Sequence, residues 1–182
     1  KMNVVYRGVE NPMTISIPGI PDNKVSATAP GLKKAKGSKY NMTPGKGREI
    51  TISASGSMPD GQKITTTTKF RIKDIPAPQG TVRKQSGSVT IPKSSLEISS
   101  VGAMLEDFDF DITLKTVSFK FKVPGQPTIN IKGNKLDARA KSALKRAKAG
   151  QSVQIFDIKV VNPKNPSYKF KKISPVICEL VN

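Results

Sequence analysis

The 182-residue chain has no histidine, no tryptophan and one cysteine, and its 13 acidic residues face 31 Lys+Arg. Each shortage removes a class of chemistry. Without histidine there is no imidazole base for a catalytic triad or dyad, and no His-ligated zinc or haem. A single cysteine forms no internal disulfide and no thiolate cluster for zinc or iron–sulfur. Aromatic residues make up 5%, which leaves few platforms for stacking nucleic-acid bases. No apolar run approaches the roughly 20 residues that span a bilayer. Lys1-Met2-Asn3-Val4 leads straight into a strand-like segment, and no charged n-region followed by an apolar h-region is visible. A secreted or membrane-anchored parent stays compatible with this reading if the chain is a piece of a longer protein.

What is present is charge and alternation. The formal charge is +18 and the pI about 10.1. A polyanion such as nucleic acid is therefore an alternative partner. At 36% hydrophobic the chain has enough apolar residues to bury a core. Residues 1–80 hold 13 basic and 5 acidic residues, net +8, and residues 81–182 hold 18 and 8, net +10. Neither half is a separate basic tail.

The first part reads as short strands between turns: Val4–Tyr6, Thr14–Ile17, Val25–Thr28, Lys39–Met42 and Glu49–Ser55. The clearest strand has Ile64, Thr66, Thr68, Phe70 and Ile72 alternating with Lys63, Thr65, Thr67, Lys69, Arg71 and Lys73, after a Pro59-Asp60-Gly61 turn. Strands at this spacing predict an immunoglobulin-like β-sandwich over 1–76. Ile75-Pro76-Ala77-Pro78-Gln79-Gly80 breaks the pattern, since alternating prolines join neither a helix nor a central strand. Residues 77–82 therefore read as a Pro/Gly linker, and 83–182 as a β-rich α+β domain with one clear helix, about 136–149.

In that second part, Ser88–Ile91 reads as a strand and Lys93–Leu105 as holding a short helix. Phe108, Phe110, Ile112 and Leu114 alternate as a strand, and Val117, Phe119, Phe121 and Val123 continue with opposite parity. A bulge or bend near Lys115-Thr116 is required. Ile129–Ile131 ends at Gly133. In the helix, Leu136, Ala140, Ala143, Leu144 and Ala147 share one face, with Arg139, Lys141, Lys145, Arg146 and Lys148 on the other. Asn134 or Asp137 suits its start and Gly150 its C′ position. Val153–Val161 changes parity between Ile155 and Ile158. Tyr168–Phe170 and Val176–Val181 read as strands, the latter burying Cys178.

Two motifs fail on their spacing. Asp107, Asp109 and Asp111 have the opening spacing of a calcium loop, but Ile112 and Ser118 stand where it needs Gly and Glu. Thr43-Pro44-Gly45-Lys46-Gly47 lacks the Ser or Thr after the lysine and the upstream glycine of a phosphate loop. Lys33 to Lys39 reads as a basic loop without interleaved aromatics. No nucleophile elbow is present. The sequence reads as a non-enzyme with no cofactor, no metal and no catalytic residue. Asp107, Asp109 and Asp111, with Arg139, Lys145 and Arg146, are the candidate docking surface.

Asn3-Val4-Val5-Tyr6-Arg7-Gly8-Val9-Glu10-Asn11-Pro12, followed by Ile15-Ser16-Ile17-Pro18-Gly19, resembles the start of the third periplasmic region of the GldM (PorM) family. Phe70-Arg71-Ile72-Lys73-Asp74-Ile75-Pro76-Ala77-Pro78 is similar to that family's junction into its C-terminal domain. Phe108-Asp109-Phe110-Asp111, Val117-Ser118-Phe119 and Ala149-Gly150-Gln151-Ser152-Val153 follow in the same order. The departures are Gln151, where an acid is expected, and the Asn162–Pro166 turn.

The resemblance implies a part of the type IX secretion and gliding motility machinery, a protein-transport system. It implies a homodimeric periplasmic scaffold whose parent carries an N-terminal membrane helix that pairs with GldL (PorL). It further implies that the shaft couples this proton-driven inner-membrane module to an outer-membrane-associated GldK–GldN (PorK–PorN) ring. No small-molecule substrate and no site residue transfer with it.

Overall fold

The computed structural model describes residues 3–182. The chain divides into two compact units, Lys1–Ile75 and Pro76–Asn182.

The first unit is a sandwich of two sheets. One has the order β1 (Val4–Tyr6), β7 (Lys63–Lys73), β6 (Glu49–Ser57), β3 (Ser26–Thr28). The other has β2 (Asn11–Thr14), β5 (Lys39–Met42), β4 (Leu32–Lys34). Strands β6 and β7 form the long ladder, from Glu49 opposite Arg71 to Ser57 opposite Lys63. Alternation puts Ile52 and Ile72 inward, where Val5 and Met42 meet them, and Ile17, Ile20, Val25 and Ala54 form a second small cluster.

Two departures from the sequence reading lie here. The second strand is Asn11–Thr14, four residues long, instead of Thr14–Ile17. Asn11 is the reason. Its buried amide nitrogen reaches the carbonyls of Tyr6 (2.9 Å), Val9 (3.0 Å) and Met42 (3.0 Å), and its oxygen accepts from the Tyr6 N–H at 2.8 Å. The side chain thereby replaces the backbone partners that the turn leaves unmade. Pro12 is tolerated because it is exposed on an edge strand. The lysine run is the other departure: Lys33 and Lys34 lie in β4, paired with β5, with Lys34 over the Tyr40 ring at 5.8 Å.

The second unit joins a mixed sheet, ordered β10 (Ser88–Pro92), β15 (Val176–Val181), β14 (Ser152–Val161), β12 (Lys115–Lys122), β13 (Ile129–Lys132), to a small sheet, β11 (Val101–Met104), β8 (Gln79–Val82), β9 (Gln85–Ser86). Helices α1 (Lys93–Glu97) and α2 (Ala138–Lys145) pack with them. The core gathers Phe119, Phe121, Ile131, Val153, Ile155, Cys178 and Leu180 with Leu136, Ala140 and Leu144. Burial pushes the Cys178 thiol up to about 11.

Residues 79–82, read as linker, are strand β8. Pro78 ends the proline pattern, and from Gln79 the free N–H groups pair with β11, with Gly80 N–H also donating to Ser174 at 3.0 Å. Phe108 to Leu114, read as a strand, belongs to no ladder among the described residues. It belongs to an irregular arm, 105–114, whose Phe108, Phe110, Ile112 and Leu114 line one small pocket with Ala103 and Met104. Asp107 sits at φ 52°, a left-handed residue that ends extended pairing. Tyr168 to Phe170 is also irregular; its two rings meet edge to face at 5.1 Å.

The required parity breaks fall close to where alternation demanded them. In β12 the register shifts between Thr116 and Ser118 and again by Lys120, so Thr116 turns inward and Val117, 49% exposed, turns out. In β14, Asp157 at φ 48° forms the bulge between Ile155 and Ile158. Helix α2 is shorter than 136–149. Asp137 caps it, accepting from Ala140 N–H at 2.9 Å. Its end tightens as Arg146 and Ala147 N–H bond the carbonyls of Ala143 (3.2 Å) and Leu144 (3.1 Å). The C-cap is therefore Arg146, and Gly150 at φ 87° ends the following turn instead of the helix.

Candidate docking surfaces

Each unit presents charged surface. In the first unit, β7 lies between β6 and the short strand β1. Strand β1 pairs Arg71–Lys73 alone, and no strand among the described residues pairs residues 63–70 on that side. Arg71 N–H reaches Asn3 C=O at 2.9 Å on the β1 side, whereas Ile72 N–H reaches Arg48 C=O at 2.7 Å on the opposite side. Backbone groups alternate along a strand. Thr65, Thr67 and Lys69 therefore aim N–H and C=O to the side on which β1 pairs. Residues 65–69 are all exposed, and Lys69 has one exposed ion pair, with Glu49 at 3.6 Å.

Arg7 makes a clamp at the end of the same unit. Its guanidinium meets Asp74 at 2.5 Å and donates to the carbonyls of Gly45 (3.0 Å) and Gly47. The Gly45–Gly47 loop thus aims carbonyls at a cation, the reverse of the N–H cradle that a phosphate loop needs. Asp74 immediately precedes Ile75, so the clamp fixes the strand end from which the chain leaves this unit.

In the second unit, the predicted docking residues lie on two elements. Asp107, Asp109 and Asp111 are exposed on the arm, where Phe108 and Phe110 stack on each other at 4.7 Å. The nearby Glu106 accepts from Gln79 at 3.1 Å, and Asp111 pairs loosely with Lys164 at 3.7 Å. On α2, Arg139 donates to Asn130 C=O (2.8 Å) and Asp137 (3.2 Å), and Arg146 donates to Gln126 (2.8 Å). Lys145 points to solvent, while its carbonyl accepts from Lys93 at 3.3 Å. No ion pair among the described residues joins the arm acids to these three cations. They form an acidic arm and a basic helix face.

Sequence reading missed a groove of about 800 Å³ in the second unit, lined by Arg83, Lys84, Ile98, Leu114 and Lys115 among others. Arg83 (φ 51°) and Lys84 (φ 63°) make the two-residue turn between β8 and β9 in left-handed conformation. That turn ordinarily takes Asn or Gly, so the residue types hid it. Ile98 is 72% exposed beside them.

Two carboxylates are held below their ordinary range. Lys159 (3.1 Å) and then Lys120 (3.4 Å) lower Asp157. At Asp137 partial burial opposes ionisation, but the Ala140 N–H and Arg139 outweigh it and the pKa falls. Both hold local structure, a bulge and a helix cap.

Comparison with known proteins gives two adjoining family matches. The GldM third domain matches residues 1–73 and the GldM C-terminal domain matches residues 76–180. No curated protein matches the chain. Among solved structures, the Clostridium thermocellum CbhA fibronectin(III)-like modules are 13% identical, with a TM-score of 0.31 over 98% of this chain and 89% of that one. Mouse clustered PcdhgC3 EC1-3 is 11% identical, with a TM-score of 0.28 over 100% and 66%. Human mucin-like protocadherin EC1-2 is 9% identical, with a TM-score of 0.25 over 99% and 95%.

Proposed function

The chain belongs to the GldM family, carrying its third and C-terminal domains, and from that premise we propose that it is the outer, ring-facing part of a periplasmic shaft. It is a component of the gliding motility and type IX secretion machinery. Its role is mechanical and non-catalytic. Two β-units in series transmit motion from a proton-driven inner-membrane module to an outer-membrane-associated ring of GldK and GldN.

The observation that carries this reading is the order and extent of the family matches, 1–73 followed by 76–180. The physical features agree. A transmitting element needs stiff units and surfaces that grip neighbours. The long β6–β7 ladder and the Arg7 clamp stiffen the first unit up to its exit at Asp74. The acidic residues of 105–114 and the basic α2 face are surfaces for neighbours. The working form is a homodimer. No described helix is long and apolar enough to cross a membrane; the anchor and the contact with GldL lie elsewhere in the parent protein.

Deleting this segment from the parent gene tests the proposal. Gliding and secretion are lost while the parent's association with GldL in the inner membrane persists. Secretion at wild-type levels without the segment would reject it.

A further inference from the structure

The groove of the second unit combines unpaired cations, an exposed aliphatic side chain and no acid, and we propose that it takes an extended acidic peptide segment of a partner protein, with an aliphatic residue among its carboxylates. This inference rests on the reading above that the chain grips a neighbour, and it adds the chemistry that the neighbour presents.

Cations stand along the groove and nothing in the fold uses them. Arg83, Lys84 and Lys115 are exposed members of the lining, and no ion pair among the described residues holds any of them. No aspartate or glutamate lines the groove. An anionic partner therefore meets these charges without competition. The turn that carries two of them argues that they are kept for such a partner. Val82 opposite Gln85 makes Arg83-Lys84 a two-residue hairpin loop, with both residues left-handed. Asn-Gly folds such a turn without strain, whereas two long side chains at positive φ weaken it. Nothing in the fold requires Arg and Lys at these positions.

The lining also selects the kind of anion. Ile98 caps the end of α1 and is 72% exposed, with half-buried Leu114 in the same lining. Covering Ile98 takes an aliphatic side chain between the carboxylates. No Phe, Tyr or Trp lines the groove, so nucleic-acid bases find no stacking platform. The groove is open to solvent, so a small ligand would keep much of its surface wet, while an extended segment can lie in it. Backbone is available to such a segment. Arg83 N–H bonds Ser100 C=O at 3.2 Å, so by alternation Val101 and Ala103 turn their N–H and C=O groups away from β8. Val101 is satisfied there by Asn134 C=O (2.8 Å) and the Thr116 hydroxyl (2.8 Å). Ala103, also in the lining, takes no backbone bond on that side among the described residues. It leaves a donor and an acceptor for a strand-like partner.

Fluorescence anisotropy on the whole chain tests this with a labelled hexapeptide of alternating glutamate and leucine. The wild type is expected to bind it saturably, and more weakly as salt rises. An all-glutamate hexapeptide binds about tenfold more weakly, since Ile98 then stays exposed. Arg83→Asn with Lys84→Gly weakens binding of the alternating peptide about tenfold. The same variant raises the urea midpoint of the second unit, read from labelling of Cys178, because the turn is relieved. Ile98→Ser weakens binding about tenfold and leaves the urea midpoint unchanged, because the side chain is exposed in the free protein. Lys36→Ala removes an exposed charge from the first unit and leaves binding as in wild type.

A wild type without saturable binding, equal binding of the two peptides, or a turn variant that binds like wild type would overturn the proposal. Equal losses in Lys36→Ala and the turn variant would do the same, since net charge alone then attracts the peptide. A short DNA duplex that displaces the peptide and is held more tightly makes the groove a polyanion site and also rejects it. A lower urea midpoint in the turn variant refutes the reason given for its cations. If that variant does not fold, Ile98→Ser decides alone. Absence of peptide binding leaves the deletion test of the shaft reading untouched, and secretion without the segment rejects the shaft reading alone.

Discussion

Replacing Gly80 with alanine is expected to destabilise the second unit severely, and the cost can be worked from its surroundings. A Cβ there would lie 2.3 Å from the Ser174 carbonyl oxygen and 2.6 Å from Ile158 Cδ1. Neither neighbour is free to yield. The carbonyl is backbone and accepts the Gly80 N–H at 3.0 Å, and Ile158 is buried in the core. Backbone at 78–80 or 174 must therefore move, which weakens that bond and the Ser174 N–H bond to Pro78 C=O at 3.3 Å. Two hydrogen bonds at about 1 kcal/mol each and overpacking at about 1–3 kcal/mol give a loss of about 3–5 kcal/mol. Total stabilities are about 5–15 kcal/mol, so the loss is a large fraction. Cys178 provides a unit-specific assay, being the single thiol and fully buried. Pulse labelling across a urea gradient reports unfolding of the second unit alone. Gly102→Ala is the comparison: its new Cβ meets only the Thr81 hydroxyl, at 3.2 Å, and a change within about 1 kcal/mol is expected. A Gly80→Ala midpoint equal to wild type would refute the reasoning that residues 79–82 are an integral strand and not a linker.

Phe121→Ala empties a fully buried position in the second core and should cost about 3–5 kcal/mol by the same thiol assay. Asp137→Ala removes the α2 cap and should cost about 1 kcal/mol near neutral pH. The folded pKa of Asp137 lies below its ordinary 3.8, so the wild-type advantage is full above that value. It fades as pH falls through the lower folded pKa, and urea midpoints at pH 7 and pH 3 measure the convergence. Arg7→Ala releases the Gly45–Gly47 loop and should cost about 2 kcal/mol, with Asp74→Ala below about 1 kcal/mol because that ion pair is partly exposed. Amide hydrogen exchange over 43–48 should accelerate in Arg7→Ala and little in Asp74→Ala.

Local pattern carried the reading wherever one face is buried. Alternation found β7, β12 and β14, and even the Asp157 bulge, because a parity change between Ile155 and Ile158 has no other remedy in a half-buried strand. The helix start, left between Asn134 and Asp137, and the burial of Cys178 were legible for local reasons, and the fold selects Asp137 as the cap. What stayed hidden depends on distant partners. Phe108 to Leu114 alternates as well as any strand, but a ladder needs a second strand, and Asp107 leaves the extended region. Gln79–Val82 lay in a proline-rich context and became a strand because β11 and Ser174, remote in sequence, supply its bonds. The charges of Asp107 to Asp111 and of Arg139, Lys145 and Arg146 were legible singly, but their division between an irregular segment and a helix face depends on the fold.

The proposed role requires this chain to grip the outer-membrane-associated ring. The most direct measurement is binding of the purified chain to purified GldK–GldN ring, with duplex DNA as competitor and ionic strength varied. The account predicts saturable binding at physiological salt that excess DNA does not displace. No retention on the ring, with DNA bound instead and a steep fall of affinity with salt, would contradict it.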